Sequence, residues 1–263
     1  MKKQKNQSNI DVDVEMKRRE IKLNLDVKAE IVYHKYQSFD VNTLFISFGE
    51  KRRVLSTWDG YRKVSYVANT YQPMGLFDIT MMNYGEFEEK FPAHLNVTRD
   101  DLSLLSTLAN MNNVSVCEKS FKGLVVSCLA TGGVGNALRS GVDGANWMEQ
   151  NGTFVNTHGT INIIILTNAT LSDGAMARVI ITATEAKTAA LQDMDARSSV
   201  SPKNQATGTG TDNMIVVSGK DSSQPLLYTG GHTKIGELIG ASTKTAVAEA
   251  IKKQARSSKT RRA

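Results

Sequence analysis

The stretch INIIILTNATLSDGAMARVIITATEAKTAALQDM, residues 161–194, leaves little freedom to the fold around it. Ile161–Thr167 is apolar apart from Asn162 and Thr167. A strand of that kind is covered on both faces and lies in the middle of a sheet. Ser172 or Asp173 then caps a helix that runs to about Met194. Alanines at 175, 177, 183, 186, 189 and 190 let this helix lie close against the sheet. The apolar run is also far too short to span a bilayer.

The other segments fit around that unit. Glu30–Tyr36, Thr43–Phe48, Arg53–Thr57 and Lys63–Asn69 are rich in Val, Ile, Tyr and Phe and are separated by turn residues such as Gly49 and Asp59-Gly60. They predict an antiparallel meander. Thr98 as a cap, with Leu102, Leu105 and Leu108 as a stripe, predicts a helix. Val114–Cys117, Leu124–Ala130 and Met214–Val217 read as strands. A last helix starts near His232 or Thr233 and reaches about Gln254, with Ile235, Leu238, Ile239, Val247, Ala250 and Ile251 on one face. Several strands come in succession before the first helix, so a regular βαβ alternation is excluded. The expected class is α+β: a single domain with a mixed or largely antiparallel sheet and about three helices packed on it. Residues 1–28 read as a polar lead-in, 29–254 as the domain and 255–263 as a basic disordered tail. Residues 197–211 predict a long mobile loop, and loops of that length inside a domain are usually functional.

Charge narrows the function classes. The net charge is +6, but Lys252, Lys253, Arg256, Lys259, Arg261 and Arg262 carry six of the 32 basic residues, leaving 26 against 26 acids. The body is therefore neutral. No aromatic residue is interleaved with the basic tail to stack on bases, which argues against nucleic acid as a partner. The N-terminus lacks the apolar segment of a secretory signal, so the expected location is cytoplasmic, without a membrane partner. Cys117 and Cys128 form no CxxC pair, which argues against a disulfide or zinc framework.

Two glycine-rich stretches invite functional readings. ATGTGTDN (206–213) is no Walker loop, because Gly219-Lys220 is followed by Asp221; nor is it a dinucleotide fingerprint, because Asn213 stands where the third glycine belongs. Two readings remain open. Gly208, Thr209, Gly210, Thr211 and Asp212 present amides, hydroxyls and a carboxylate that suit a carbonyl or oxyanion; or the glycines only supply positive φ and Asp212 an Asx-turn. TGGVGN (131–136) either lets a ligand approach the backbone at Gly133 and Gly135, with Asn136 as a polar handle, or is a tight strand end. His34, His94, His158 and His232 show no ligand spacing, so no protein-bound metal is expected. Glu185 has no basic neighbour three or four residues away; it is either a half-buried general base or a surface residue. A helix N-terminus would keep His232 neutral and available as a base, unless it is an ordinary polar residue at a helix start. Asp173 is explained by capping alone.

Taken together, TGGVGNA (131–137), residues 159–191, TGTGTD (207–212) and GHTKIGELIG (231–240) resemble the adenosylcobinamide amidohydrolase family. The resemblance is close over 115–254 and weaker over 30–114. It implies hydrolysis of the amide between a corrin side chain and aminopropanol in adenosylcobinamide, giving adenosylcobyric acid and aminopropanol for coenzyme B12 salvage. The partner is then a small-molecule corrinoid, and no cofactor is needed, since the cobalt belongs to the substrate; the oligomeric state stays open. Glu185, Asp212 and His232 are the candidates for proton transfer. Gly133, Gly135, Asn136, Thr209, Gly210 and Thr211 are the candidates for binding. The competing readings are a corrinoid-binding module without turnover and a nucleotide binder built on the Gly/Thr loop.

Overall fold

The computed structural model describes residues 16–144 and 159–260. The lead-in before Met16, His158 and the last three residues lie outside them.

Nine strands form one mixed sheet among the described residues: β1 (Lys17–Ile21), β2 (Lys28–Tyr36), β3 (Phe39–Ser56), β4 (Gly60–Tyr71), β5 (Leu102–Thr107), β6 (Ser115–Phe121), β7 (Leu124–Gly132), β8 (Ile161–Thr167) and β9 (Asn213–Val217). The order is β1-β2-β3-β9-β8-β7-β6, with β4 and then β5 on the other edge of β3. Only β4·β5 and β8·β9 are parallel. The 18-residue β3 is the hinge of this sheet. Along one edge its first half pairs with β2 and its last three residues with β9; the register with β4 shifts between Ser47 and Arg52.

The sheet thereby curls over itself. Ile31, Leu44, Ile46 and Val67 of one half meet Leu129, Ile164, Leu166 and Val217 of the other in one buried cluster. The outer faces are covered by helices. Helix α3 (Asp173–Asp193) and helix α4 (Lys234–Thr260) pack on Val126, Cys128, Ile161, Ile163 and Ile165. Of the remaining helices, α1 (Met74–Met82) and α2 (Tyr84–His94), the second sets Phe87 and Phe91 against Val32, Phe45, Leu102 and Leu104. The α+β class with a mixed sheet holds, arranged as four layers. β8 is buried at every position, odd residues facing the helices and Ile164 and Leu166 the interior. Ser172 rather than Asp173 caps α3, accepting the Ala175 N–H at 3.2 Å. Cys117 and Cys128 stand opposite each other across β6 and β7 as free thiols.

Three expectations need correction. The helix expected from Thr98 is a single 3-10 turn, Arg99–Asp101, followed by β5. Leu102 and Leu104 fill one cluster and Leu105 another, so the leucines serve both faces of a buried strand and not one stripe of a helix. Helices α1 and α2 were not predicted. Their signal is Asn83, whose side chain accepts the Glu86 N–H at 3.3 Å while its amide donates to Glu86 Oε2 at 2.9 Å, a reciprocal cap. The ends differ as well. Residues 17–21 of the lead-in add a charged edge strand to β2. Helix α4 runs past Gln254 to Thr260 because Lys253 Nζ donates to the Val114 carbonyl at 2.8 Å and Ser257 Oγ to Asn113 Oδ1 at 2.8 Å. No described helix is long and apolar enough to cross a membrane.

Candidate active site

Sheet topology brings the polar motifs together. β7 ends at Gly132 opposite Ile161, where β8 begins, and Asn162 pairs with Asn213 at the start of β9. Helix α3 connects two parallel strands, so it runs back and brings its last turns to this same end. Residues 132–138, 159–162 and 207–212 therefore meet around Lys187.

Lys187 is the residue the sequence reading missed. It falls on the buried face of α3, in line with Met176, Val179, Ala183 and Ala190, and is only 6% exposed. A lysine on an apolar helical stripe is itself a signal, because an ammonium goes into such a place only with a partner. That partner is Asp212: Lys187 Nζ is hydrogen-bonded to Asp212 Oδ2 in an almost fully buried ion pair. The carboxylate takes three further donors. Oδ2 accepts the Thr209 N–H at 3.2 Å, Oδ1 the Ile161 N–H at 3.0 Å, and Oδ1 also the Thr209 hydroxyl.

The glycines let the loops close over this pair. A Cβ on Gly208 would lie 2.6 Å from Asp212 Oδ2 and 2.8 Å from Lys187 Nζ. Gly210 has φ +77° and sits under Leu138. Gly159 has φ +128°, and a Cβ there would be 2.1 Å from Asn136 Oδ1. Asn136 Nδ2 donates to the Gly159 carbonyl at 2.8 Å and to the Thr209 carbonyl at 3.2 Å, tying the two glycine-rich stretches together. Thr211 Oγ1 donates to the Gly159 carbonyl at 2.6 Å, and Thr188 Oγ1 holds the Thr207 carbonyl at 3.1 Å. The loop expected to be mobile is thus tied by side chains along its length. Ser198 Oγ, for example, donates to Asp143 Oδ2 at 2.6 Å.

Beneath the pair, a polar row enters the sandwich. Asn162 Nδ2 donates to Asn69 Oδ1 and to the Ser106 carbonyl, each at 2.9 Å, and Asn69 Nδ2 donates to Thr131 Oγ1 at 3.0 Å. Asn69, Thr131 and Asn162 are each 1% exposed. Tyr84, whose hydroxyl lies 3.0 Å from Ser106 Oγ, has its phenol pushed above its usual range by burial. Buried amides satisfied this completely fix one arrangement of the strands that carry the loops.

Asp212, Asn136, Thr209, Gly210 and Thr211 are therefore gathered at one place, with Gly133 beside them through its N–H to the Thr160 carbonyl at 3.1 Å. Gly135 is exposed on the outer side of that turn, and Thr209 is buried at 1% exposure. Glu185 is exposed, not half-buried: it stands two residues, some 200° of helical turn, from Lys187. His232 is exposed ahead of α4, where Thr229 is bonded to Ala175 and Thr182 of the first turns of α3. It lies at the end where β9 finishes, whereas Asp212 lies where β9 begins. Asp212 pairs with Lys187 and not with His232, because a strand of five residues, about 17 Å, separates the two ends.

The model of the adenosylcobinamide amidohydrolase family matches residues 26–259. An uncharacterized protein of Methanocaldococcus jannaschii, MJ1613, is 44% identical over 226 residues, covering 82% of this chain and 88% of that protein. Among solved structures, the PH0078 protein of Pyrococcus horikoshii is similar with a TM-score of 0.45 and 11% identity, over 86% of this chain and 84% of that one. An L-aminopeptidase D-Ala-esterase/amidase of Ochrobactrum anthropi is similar with a TM-score of 0.41 and 10% identity, over 85% and 82%.

Proposed function

The chain belongs to the adenosylcobinamide amidohydrolase family, and from that premise we propose that it hydrolyses the amide joining the corrin side chain to aminopropanol in adenosylcobinamide. The products are adenosylcobyric acid and aminopropanol. The observation that carries this reading is the family match over residues 26–259, which takes in every loop of the polar end described above. In the reaction, water oxygen adds to the amide carbon, the C–N bond breaks, and the amine leaves with a proton. In this reading Lys187 and Asp212 form the charged centre that manages that proton. Asn136 and Thr211, both partly exposed, and the backbone of Gly133, Gly135 and Gly210 hold the amide groups around the corrin ring. The cobalt is part of the substrate.

A second reading, a corrinoid-binding module without turnover, is favoured by one observation. Both oxygens of Asp212 are already engaged by Lys187, Thr209 and Ile161, which suits a brace as well as a catalyst. Incubation with adenosylcobinamide, followed by mass analysis of the corrinoid, separates the two. Conversion to adenosylcobyric acid with release of aminopropanol is expected. A stable complex with unchanged corrinoid would establish the binding module instead.

A further inference from the structure

A cavity lies at the opposite end of the strands, where β8 and β9 finish. Arg52 has the parity of Leu44, Ile46, Phe48 and Val54 on β3, the residues that face the interior of the sandwich. It is a charged side chain in a core-facing row and is only 6% exposed. Its guanidinium carbon lies 5.9 Å from the centre of the Phe48 ring. Its Nε is buried without a hydrogen-bond partner, and Glu50 Oε1, at 3.8 Å, is beyond hydrogen-bond reach. A guanidinium cannot lose its charge near neutral pH, and leaving its buried Nε without an acceptor is costly.

Arg52 lines a cavity of about 190 Å3. Leu25, Val27, Leu166 and Val217 make its apolar walls, and Asp26, Thr167, Asn168, Ser218 and Lys220 complete it. Lys220 is already committed, with Asp26 Oδ2 at 2.7 Å and Glu50 Oε1 at 3.9 Å. Asp26 and Glu50 are themselves more than half exposed, so their charge is screened by solvent. Arg52 is the lining cation with an unfilled hydrogen-bond donor, its Nε. Ser218 Oγ accepts the Leu171 N–H at 2.9 Å and adds a hydroxyl beside it.

We propose that this cavity binds a small organic monocarboxylate, its carboxylate held by Arg52 and its apolar body by Leu25, Val27, Leu166 and Val217. A planar carboxylate matches the fork of guanidinium donors. The size fits: an apolar cavity of about 150 Å3 holds a benzene molecule, so this one takes a body of that size with a carboxylate attached.

Benzoate is the probe, benzyl alcohol its uncharged counterpart and inorganic phosphate an anion without an apolar body. Thermal melts of the full chain are taken at constant ionic strength. Benzoate should raise Tm saturably, by about 3–5 °C at ten times its half-saturating concentration; benzyl alcohol and phosphate should not. Arg52→Met should lose the benzoate shift. Should that variant fail to fold, Leu25→Trp, which keeps Arg52 and fills the cavity from a half-buried position, should lose it instead. Absence of a benzoate shift in the wild type, an equal shift with phosphate or benzyl alcohol, or a shift undiminished in either folded variant would overturn the proposal.

Discussion

Replacing Asp212 by Asn removes one charge and changes little in shape, yet it should destabilise the protein strongly. Asn can still accept from the Thr209 hydroxyl and the Ile161 N–H through Oδ1, but its amide points a donor at the Thr209 N–H and at Lys187, a residue only 6% exposed. Breaking a buried pair by removing one partner costs about 3–5 kcal/mol. Asp212 retains 11% side-chain exposure, so the lower figure applies. For a chain of this length about 3 kcal/mol corresponds to a fall in Tm of roughly 6–12 °C. With an m-value of about 3 kcal/mol/M, it lowers the urea midpoint by about 1 M. Lys187→Met, which strands the carboxylate, should cost a similar amount. The double variant Lys187→Met/Asp212→Asn removes both charges and should regain about 2 kcal/mol over the sum of the singles. Equilibrium urea unfolding of the four proteins is the assay. Single variants that each cost less than about 1 kcal/mol, with a double variant additive within about 0.5 kcal/mol, would refute the buried pair. The same double variant separates brace from catalyst. If the pair manages the proton, turnover stays down by about a hundredfold or more after stability has been regained.

Other outcomes follow from the same geometry. Glu185→Gln and His232→Gln should leave adenosylcobinamide turnover within about twofold of wild type, since exposed positions away from the pair tolerate such changes; a hundredfold loss in either would return that residue to the site. Gly159→Ala should cost at least about 2 kcal/mol, because φ is +128° and the new Cβ meets Asn136, whereas Gly174→Ala, in open space on α3, should be neutral or slightly stabilising by urea unfolding. Burial, aided by the neighbouring His94 charge, pulls the His34 imidazole down to about 4. The folded protein then binds fewer protons than the unfolded chain between pH 6.5 and about 4, so His34 lowers stability as pH falls through that window and has no effect above it. Unfolding free energies measured from pH 7 to 4 should fall less steeply in His34→Gln than in wild type; parallel curves would rule this out.

Local chemistry was enough to place β8, α3 and α4, because a fully apolar strand, a hydroxyl cap and a 3.6-residue stripe each have one economical solution. The same patterning led to the mixed sheet, and the order of four motifs carried the family. The leucines at 102, 104 and 105 could not be assigned that way. A short apolar run fits either a strand or a helix, and only pairing with β4 decides between them. Nor could the role of ATGTGTDN be read locally. Its glycines turn out to be demanded by what they touch: Gly208 by Lys187 and Asp212, Gly210 by Leu138. The partner of Asp212 was open to all 32 basic residues and four histidines of the chain. The parallel β8–α3–β9 crossover chose Lys187, because it returns the last turns of α3 to the end where β9 begins and leaves His232 at the end where β9 finishes. Sequence spacing determines which face of a helix or strand a residue occupies; which other face it meets is a long-range contact that only the folded topology can select.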